Sequence, residues 1–460
     1  MRIQHLYLIL FSLACLLVGN SCSEKDTTNT EAKPVFKATV VLSRTFGGTL
    51  EEKITGVVKT NDGGMLVIGY TNSDNGDINK LYSQTEIWLT KIDVNGNKVW
   101  SKTIGGSLND YGSSIIATND GNFAIAGYSA SKDGDIPGNV GLHDFFISKI
   151  NGNGEKIWSK NYGFTGHDHA HKIIQTKDGG YFVAGFAEYS GIQGSGGDQD
   201  NGSGHGIGHR GTATLHGSGE YLGVKLDANG QFEWFRYYGG TQNDRISDVI
   251  QSNDGGYVMV GYSESDNFDI TDNKGSYDYW VVKIKENGML DWKHNFGGSG
   301  IDQAFGVTNT DNNSFLIVGK SNSVDKDIKN PIGGFDAWVI HLDHHGHLIW
   351  EKSFGGTEFD TATTIKKLSN GHFGIVGNSR NSFDEKPNNG QNDFWMFEID
   401  NKSNSNIYWQ KTFGGAKIDD ATDFFQTANN EIVIVGESQS NDQDVPENKG
   451  SNDLWMIKLK

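Results

Sequence analysis

Hydrophobic and polar residues alternate along this chain in short runs, and the runs come in sets. Tyr257-Val258-Met259-Val260-Gly261-Tyr262 and Asp278-Tyr279-Trp280-Val281-Val282-Lys283-Ile284 follow the turn segments Asn253-Asp254-Gly255-Gly256 and, after a polar loop, precede Lys285-Glu286-Asn287-Gly288. Runs this short, rich in β-branched and aromatic residues and closed by Asn-Gly or Gly-Gly turns, predict antiparallel strands. Asp248-Val249-Ile250 before them and Leu290-Asp291-Trp292-Lys293 after them supply a first and a fourth strand. The set reads as one four-stranded meander.

The same set recurs. Phe46-Gly47-Gly48 returns as Ile104-Gly105-Gly106, Tyr162-Gly163-Phe164, Tyr238-Gly239-Gly240, Phe296-Gly297-Gly298, Phe354-Gly355-Gly356 and Phe413-Gly414-Gly415, at steps of 58, 58, 76, 58, 58 and 59 residues. An acid stands four residues past the third position of each turn: Glu52, Asp110, Asp168, Asp244, Asp302, Asp360 and Asp419. Length alone suggests about three domains, but a fixed period means one unit repeated seven times. Seven meanders arranged radially form a β-propeller, which leaves no long exposed edge once the ring closes. The last copy stops after its third strand, Leu454-Trp455-Met456-Ile457-Lys458, and Val40-Val41-Leu42-Ser43-Arg44-Thr45 aligns with the fourth-strand segment Lys98-Val99-Trp100-Ser101-Lys102-Thr103. The expected fold is therefore all-β, a seven-bladed propeller over residues 38–460 whose amino-terminal strand completes the last blade.

Composition narrows the chemistry. The 11 Trp, 16 Tyr and 25 Phe exclude a disordered chain, and the excess of 57 Asp and Glu over 39 Lys and Arg argues against a nucleic-acid partner. Both cysteines lie within the first 22 residues, so the body has no disulfide, thiolate nucleophile or cysteine metal ligand. Met1-Arg2 and the apolar run Leu6 to Val18 have the form of a signal peptide. Gly19-Asn20-Ser21-Cys22 resembles a bacterial lipoprotein lipobox, although Gly19 and Asn20 depart from its strictest form. That resemblance implies a signal over 1–21, acylation at Cys22, a polar tether over 22–37, and an outer-membrane lipoprotein exposed at the cell surface, expected as a monomer.

The repeated acids and the Asp-x-Asp pairs Asp133/Asp135, Asp325/Asp327 and Asp442/Asp444 invite a calcium reading. A residue present in nearly every blade is better explained as architecture, since Asp in a recurrent loop satisfies backbone amides and a calcium cage needs about six oxygens. Trp88, Trp280, Trp338, Trp395 and Trp455 likewise read as packing between blades.

Function is sought where one copy departs from its sisters. The third copy carries His167, His169 and His171 within five residues and is 18 residues longer, the excess lying in a Gly-rich loop from Tyr189 to Gly219 that holds His205, His209, Arg210 and His216. In a four-stranded blade, the two-to-three and four-to-one connections emerge on the same face. His143, in the second copy, and the insertion lie on the first kind of connection, and His167 lies on the second. Tyr221 begins a third strand and Arg236 ends a fourth, so all are expected to gather on one rim as an acid-base site. His205, His209 and His216 could hold a structural zinc ion. No cofactor is obligatory in this reading; structural zinc and calcium are the ions the sequence leaves open.

These residues resemble the seven-bladed β-propeller ulvan lyases, polysaccharide lyases whose active sites combine histidines, a tyrosine and an arginine. The likeness of the repeat covers about nine-tenths of the chain but is shared by many secreted propellers; the specific part is His143, His167, Tyr221 and Arg236. The resemblance implies β-elimination on an anionic, uronate-containing polysaccharide. An arginine neutralises the carboxylate, His143 or His167 abstracts the α-proton or polarises the carboxylate, and Tyr221 serves the leaving oxygen. Arg236 aligns with Lys102, Lys160, Lys293, Lys352 and Lys411, which also fits a repeat-wide structural cation. Arg245 and Arg210 are its substitutes, Tyr189 that of Tyr221, and His171 is a further substrate contact. The alternative is a non-catalytic surface propeller binding glycan or protein on the same rim.

Overall fold

The structure, a computed structural model, describes residues 36–79, 82–188, 219–311, 313–383, 390–402 and 405–460. Ala38–Lys460 forms one compact unit. Among the described residues it contains 28 strands in seven four-stranded antiparallel sheets. Strand β1 (Val40–Phe46) pairs with β28 (Asp453–Leu459), which continues to β27 (Ile432–Ser438) and β26 (Asp419–Gln426). The seventh blade is thus built from both ends of the unit, as the split repeat requires.

The first strand of each blade is innermost. Strands β2 (Glu52–Lys59), β6 (Asp110–Ala117), β10 (Asp168–Gln175), β14 (Asp244–Gln251), β18 (Asp302–Asn309), β22 (Asp360–Lys367) and β26 touch one another in turn around the axis, β26 meeting β2. Each carries a bulge near its start; in β10 the register shifts between Ala170 and Lys172, leaving His171 as the extra residue. Such a bulge increases local twist and re-aims the side chains beside it.

Two buried carboxyls brace each turn between blades. The acid that opens the innermost strand accepts the backbone N–H at the third turn position, for example Asp244 from Gly240 and Asp302 from Gly298, both at 2.7 Å. Hydroxyls of Thr71, Ser129, Ser263, Ser379 and Ser438 on the adjacent strand donate to the same acids in five blades. A second acid opens the third strand: Glu86, Asp144, Glu220, Asp278, Asp336, Asp393 and Asp453, all buried. The turn glycine fits between the two, since a Cβ on Gly297 would stand 2.3 Å from Asp278 Oδ1 and 2.6 Å from Asp302 Oδ2. Members of the Asp-x-Asp pairs also accept turn amides, Asp133 from Ser107 at 2.7 Å and Asp327 from Gly297 at 3.0 Å, in agreement with an architectural role.

Apolar side chains on the middle strands interleave between neighbouring sheets. Trp88, Trp280, Trp338, Trp395 and Trp455 are almost wholly buried there. At the equivalent third-strand position the second and third blades hold Phe146 and Leu222. Those two blades therefore depart from their sisters in the core as well as on the rim.

Candidate functional site

The two-to-three connection ahead of β8 (Asp144–Ile150) meets the four-to-one connection ahead of β10 in a short parallel bridge between His143 and His167. That contact between blades two and three brings the rings together. His143 Nδ1 lies 2.7 Å from His167 Nδ1 and 3.1 Å from His169 Nε2. His169 is the second residue of β10, and its ring is held flat against Tyr128, with centroids 3.7 Å apart and planes 2° from parallel. Phe186, its cross-strand partner in the same blade, approaches it at 4.8 Å, and Tyr111 stacks on Tyr128 at 4.7 Å. All three histidines are partly buried.

The next position around the axis is Arg245, which occupies in β14 the place that His169 occupies in β10. Its guanidinium lies 3.9 Å over the Phe186 ring and pairs with Glu188 Oε1 at 3.4 Å and Asn243 Oδ1 at 3.2 Å. It also packs so closely on Gly219 that a Cβ there would fall 1.2 Å from Nη1. Glu188 and Gly219 flank the inserted segment, so its two ends meet at this arginine. His171 stacks on the same Phe186 ring at 5.6 Å.

The electrostatics follow from this packing. Burial pushes His169 down to about 2, helped by His143, His171, His167 and Arg245. Burial, with Arg245 nearby, lowers His171 to about 4, and burial followed by the charge of His167 lowers His143. The imidazoles of His143, His169 and His171 are consequently neutral near pH 7, and a neutral imidazole offers one lone pair to a proton or a metal. Below them, Asp168 lacks the hydroxyl that serves five sister acids, because Ala187 stands opposite it. Its Oδ1 has no hydrogen-bond partner, and burial beside Asp144 and Glu188 raises its carboxyl to about 8.

Of the residues singled out from sequence, His143, His167, His171 and Arg245 share this wall. Tyr221 and Arg236 do not join it, and this is a correction. Tyr221 is fully buried, donates its hydroxyl to the Trp280 carbonyl at 3.0 Å and packs on the Trp280 ring at 4.4 Å. A phenol enclosed between two sheets has no path to a sugar oxygen. Arg236, on the outermost strand β13 (Phe232–Tyr238), reaches the Gly288 carbonyl at 3.1 Å, in the three-to-four turn of the next blade on the opposite face. Lys102 reaches the Asn153 carbonyl in the same way at 2.6 Å, so the repeat-wide cation is the role observed. Tyr189, Arg210, His205, His209, His216 and Cys22 lie outside the described residues.

Sequence reasoning gave no role to His169, Tyr111, Tyr128 or Phe186. A signal existed: the second residue of the innermost strand reads Lys53, Tyr111, His169, Arg245, Gln303, Thr361 and Asp420 around the ring, and its cross-strand partner reads Tyr70, Tyr128, Phe186, Tyr262, Lys320, Asn378 and Glu437. Variation at these two positions marks a face free of scaffold duty, with aromatic and cationic groups gathered on blades two to four.

No protein family matches the chain. The regulatory protein FlaEY of Caulobacter vibrioides is 24% identical over 422 residues, covering 82% of this chain and 41% of that protein. The chain thus spans about two fifths of the length of this curated relative. Among solved structures, the Pan2 WD40 domain of Neurospora crassa has 11% identity and a TM-score of 0.45, covering 88% of this chain and 89% of its own. The β-propeller domain of the Trilobed protease from Pyrococcus furiosus has 9% identity and a TM-score of 0.43, covering 88% of this chain and 93% of its own. The fold itself stands on the strand pairing described above.

Proposed function

We propose that the wall formed by blades two to four binds a carboxylated polysaccharide and cleaves it by β-elimination. The observation that carries this reading is the placement of Arg245 and the imidazoles of His143, His167, His169 and His171 around the single Phe186–Tyr128 aromatic patch. Arg245 takes the carboxylate-neutralising role, since a guanidinium fork matches a carboxylate bidentately. A contact of 2.7 Å between two Nδ1 atoms requires one ring to donate and the other to accept. The donor ring then keeps a lone pair on Nε2 and the acceptor ring an N–H there, so the pair offers a base and a donor to one substrate.

The leaving oxygen needs an acid that Tyr221 cannot supply. Tyr262 and Tyr277 stand beside Arg245 at the same end of β14, their rings edge to face at 5.3 Å. Burial holds Tyr277 at about 12, so it remains protonated and able to donate at neutral pH. The lipobox-like segment ending in Cys22 supports an outer-membrane, surface-facing location for this activity.

The test is incubation of the protein with ulvan and other polyuronates while ultraviolet absorbance from unsaturated uronate is followed. A rise that is lost in Arg245→Met and in His167→Ala supports the lyase. Absence of that chromophore on every polyuronate, with retained binding, would establish a non-catalytic glycan-binding propeller instead.

A further inference from the structure

We infer that His143, His167 and His169 form a binding site for a divalent transition metal, with zinc as the reference ion. Among the described residues, no other set of three His, Cys, Asp or Glu residues brings its ligand atoms together in this way; the three nitrogens lie within 4.8 Å of one another. The site differs in place from the zinc expected on His205, His209 and His216.

The geometry fits the ion. Two nitrogens bound tetrahedrally to zinc at about 2.0–2.1 Å stand about 3.3 Å apart. His143 Nδ1 lies 2.7 and 3.1 Å from its two partners, so outward shifts of a few tenths of an ångström in partly buried rings open the required space. Imidazole nitrogens suit zinc, nickel and copper, and three protein ligands leave a fourth position for water or a substrate oxygen. Coordination through Nδ1 places the ring proton of His143 and His167 on Nε2, and coordination of His169 through Nε2 places its proton on Nδ1.

Three separate elements hold the rings before any ion arrives. The bridge between His143 and His167 fixes two backbones, and Tyr128 and Phe186 fix the plane of His169. Pre-organisation of this kind removes the ordering cost that weakens a metal site assembled on mobile loops. One sister blade has Tyr111 where His169 stands and another has Arg245, so the trio exists at one junction of the ring.

This inference rests on ligand geometry and does not depend on the lyase reading. A bound ion uses the lone pairs that a proton-abstracting histidine needs, so binding is measured directly and not through activity. The full chain, stripped with a chelator, is titrated with zinc against a chromophoric competitor. One ion per chain is expected, with affinity falling at least 100-fold in His143→Ala, His167→Ala and His169→Ala and unchanged in the triple variant His205→Ala/His209→Ala/His216→Ala. Cobalt loaded into the unaltered protein supplies a second readout that needs no variant: strong visible bands are expected for a four-coordinate site. Zinc binding that survives all three single substitutions, that is lost in the triple variant, or that is absent altogether would overturn the assignment, as would weak octahedral cobalt bands.

Discussion

The hydroxyl of Tyr221 donates to the carbonyl of Trp280 across the junction of blades three and four, and Tyr279 repeats the contact to Trp338 one blade on, at 2.9 Å. Both phenols are fully buried. Tyr221→Phe therefore removes one interblade hydrogen bond and leaves a buried carbonyl short of a donor, at a cost of about 1–2 kcal/mol. Urea unfolding is expected to show that loss, while glycan cleavage or binding stays at the level of the unaltered protein. A large fall in turnover with unchanged stability would restore Tyr221 to the mechanism.

Arg245 and Arg236 are predicted to separate cleanly. Lysine already occupies the Arg236 position in Lys102 and Lys352 and reaches the same kind of turn carbonyl, so Arg236→Lys is expected to change stability and ligand affinity little. Arg245→Lys loses the planar stacking on Phe186 and the bidentate fork. Calorimetry with a uronate oligosaccharide is expected to show at least a tenfold weaker Kd for Arg245→Lys and an unchanged one for Arg236→Lys.

The paired carboxyls predict an inverted pH profile. Burial raises Asp278 to about 7 and Asp244, Asp419 and Asp453 to about 6, whereas an unfolded carboxyl titrates at about 3.9. Folded-state values above the unfolded one mean that the native state binds more protons. The stability they contribute is complete below about pH 4 and is lost as pH rises through 6 to 7. The net charge of −18 at pH 7 acts in the same direction. The turn acids Asp62, Asp178 and Asp254 oppose this only below about pH 4, since hydrogen bonds from Lys91, Lys225 and Lys283 help hold them at about 2 against the upward push of burial. Thermal unfolding is expected to give a higher Tm at pH 5 than at pH 7.5, with a smaller difference in Asp278→Asn.

Gly297 and Gly152 make a matched pair. A methyl group on Gly297 would collide with both Asp278 and Asp302, whereas one on Gly152 meets nothing within 4 Å. Gly297→Ala is expected to cost about 2–3 kcal/mol through overpacking of a rigid turn, and Gly152→Ala to stay within about 0.5 kcal/mol of the unaltered protein. Equal effects in chemical denaturation would show that the carboxyl pair yields easily and is no fixed brace.

Repetition made the scaffold readable. The 58-residue period, the turn glycines and the missing fourth strand of the last copy each imposed a local geometry that the neighbouring copies had to match, and the ring closed through β1 and β28 as that logic demanded. The odd third copy was also visible as sequence, because a residue such as His169 stands out only against six relatives at the same position. Exposure and direction were not visible. Tyr221 and His169 lie near the starts of the third and first strands of one blade, yet one is enclosed between two sheets and the other lies partly exposed between Tyr128 of the neighbouring blade and Phe186. The pleat alternates side chains between faces, and the bulge in β10 re-aims those around it. Only the packed ring decides which of them meets solvent, a neighbouring blade or another histidine.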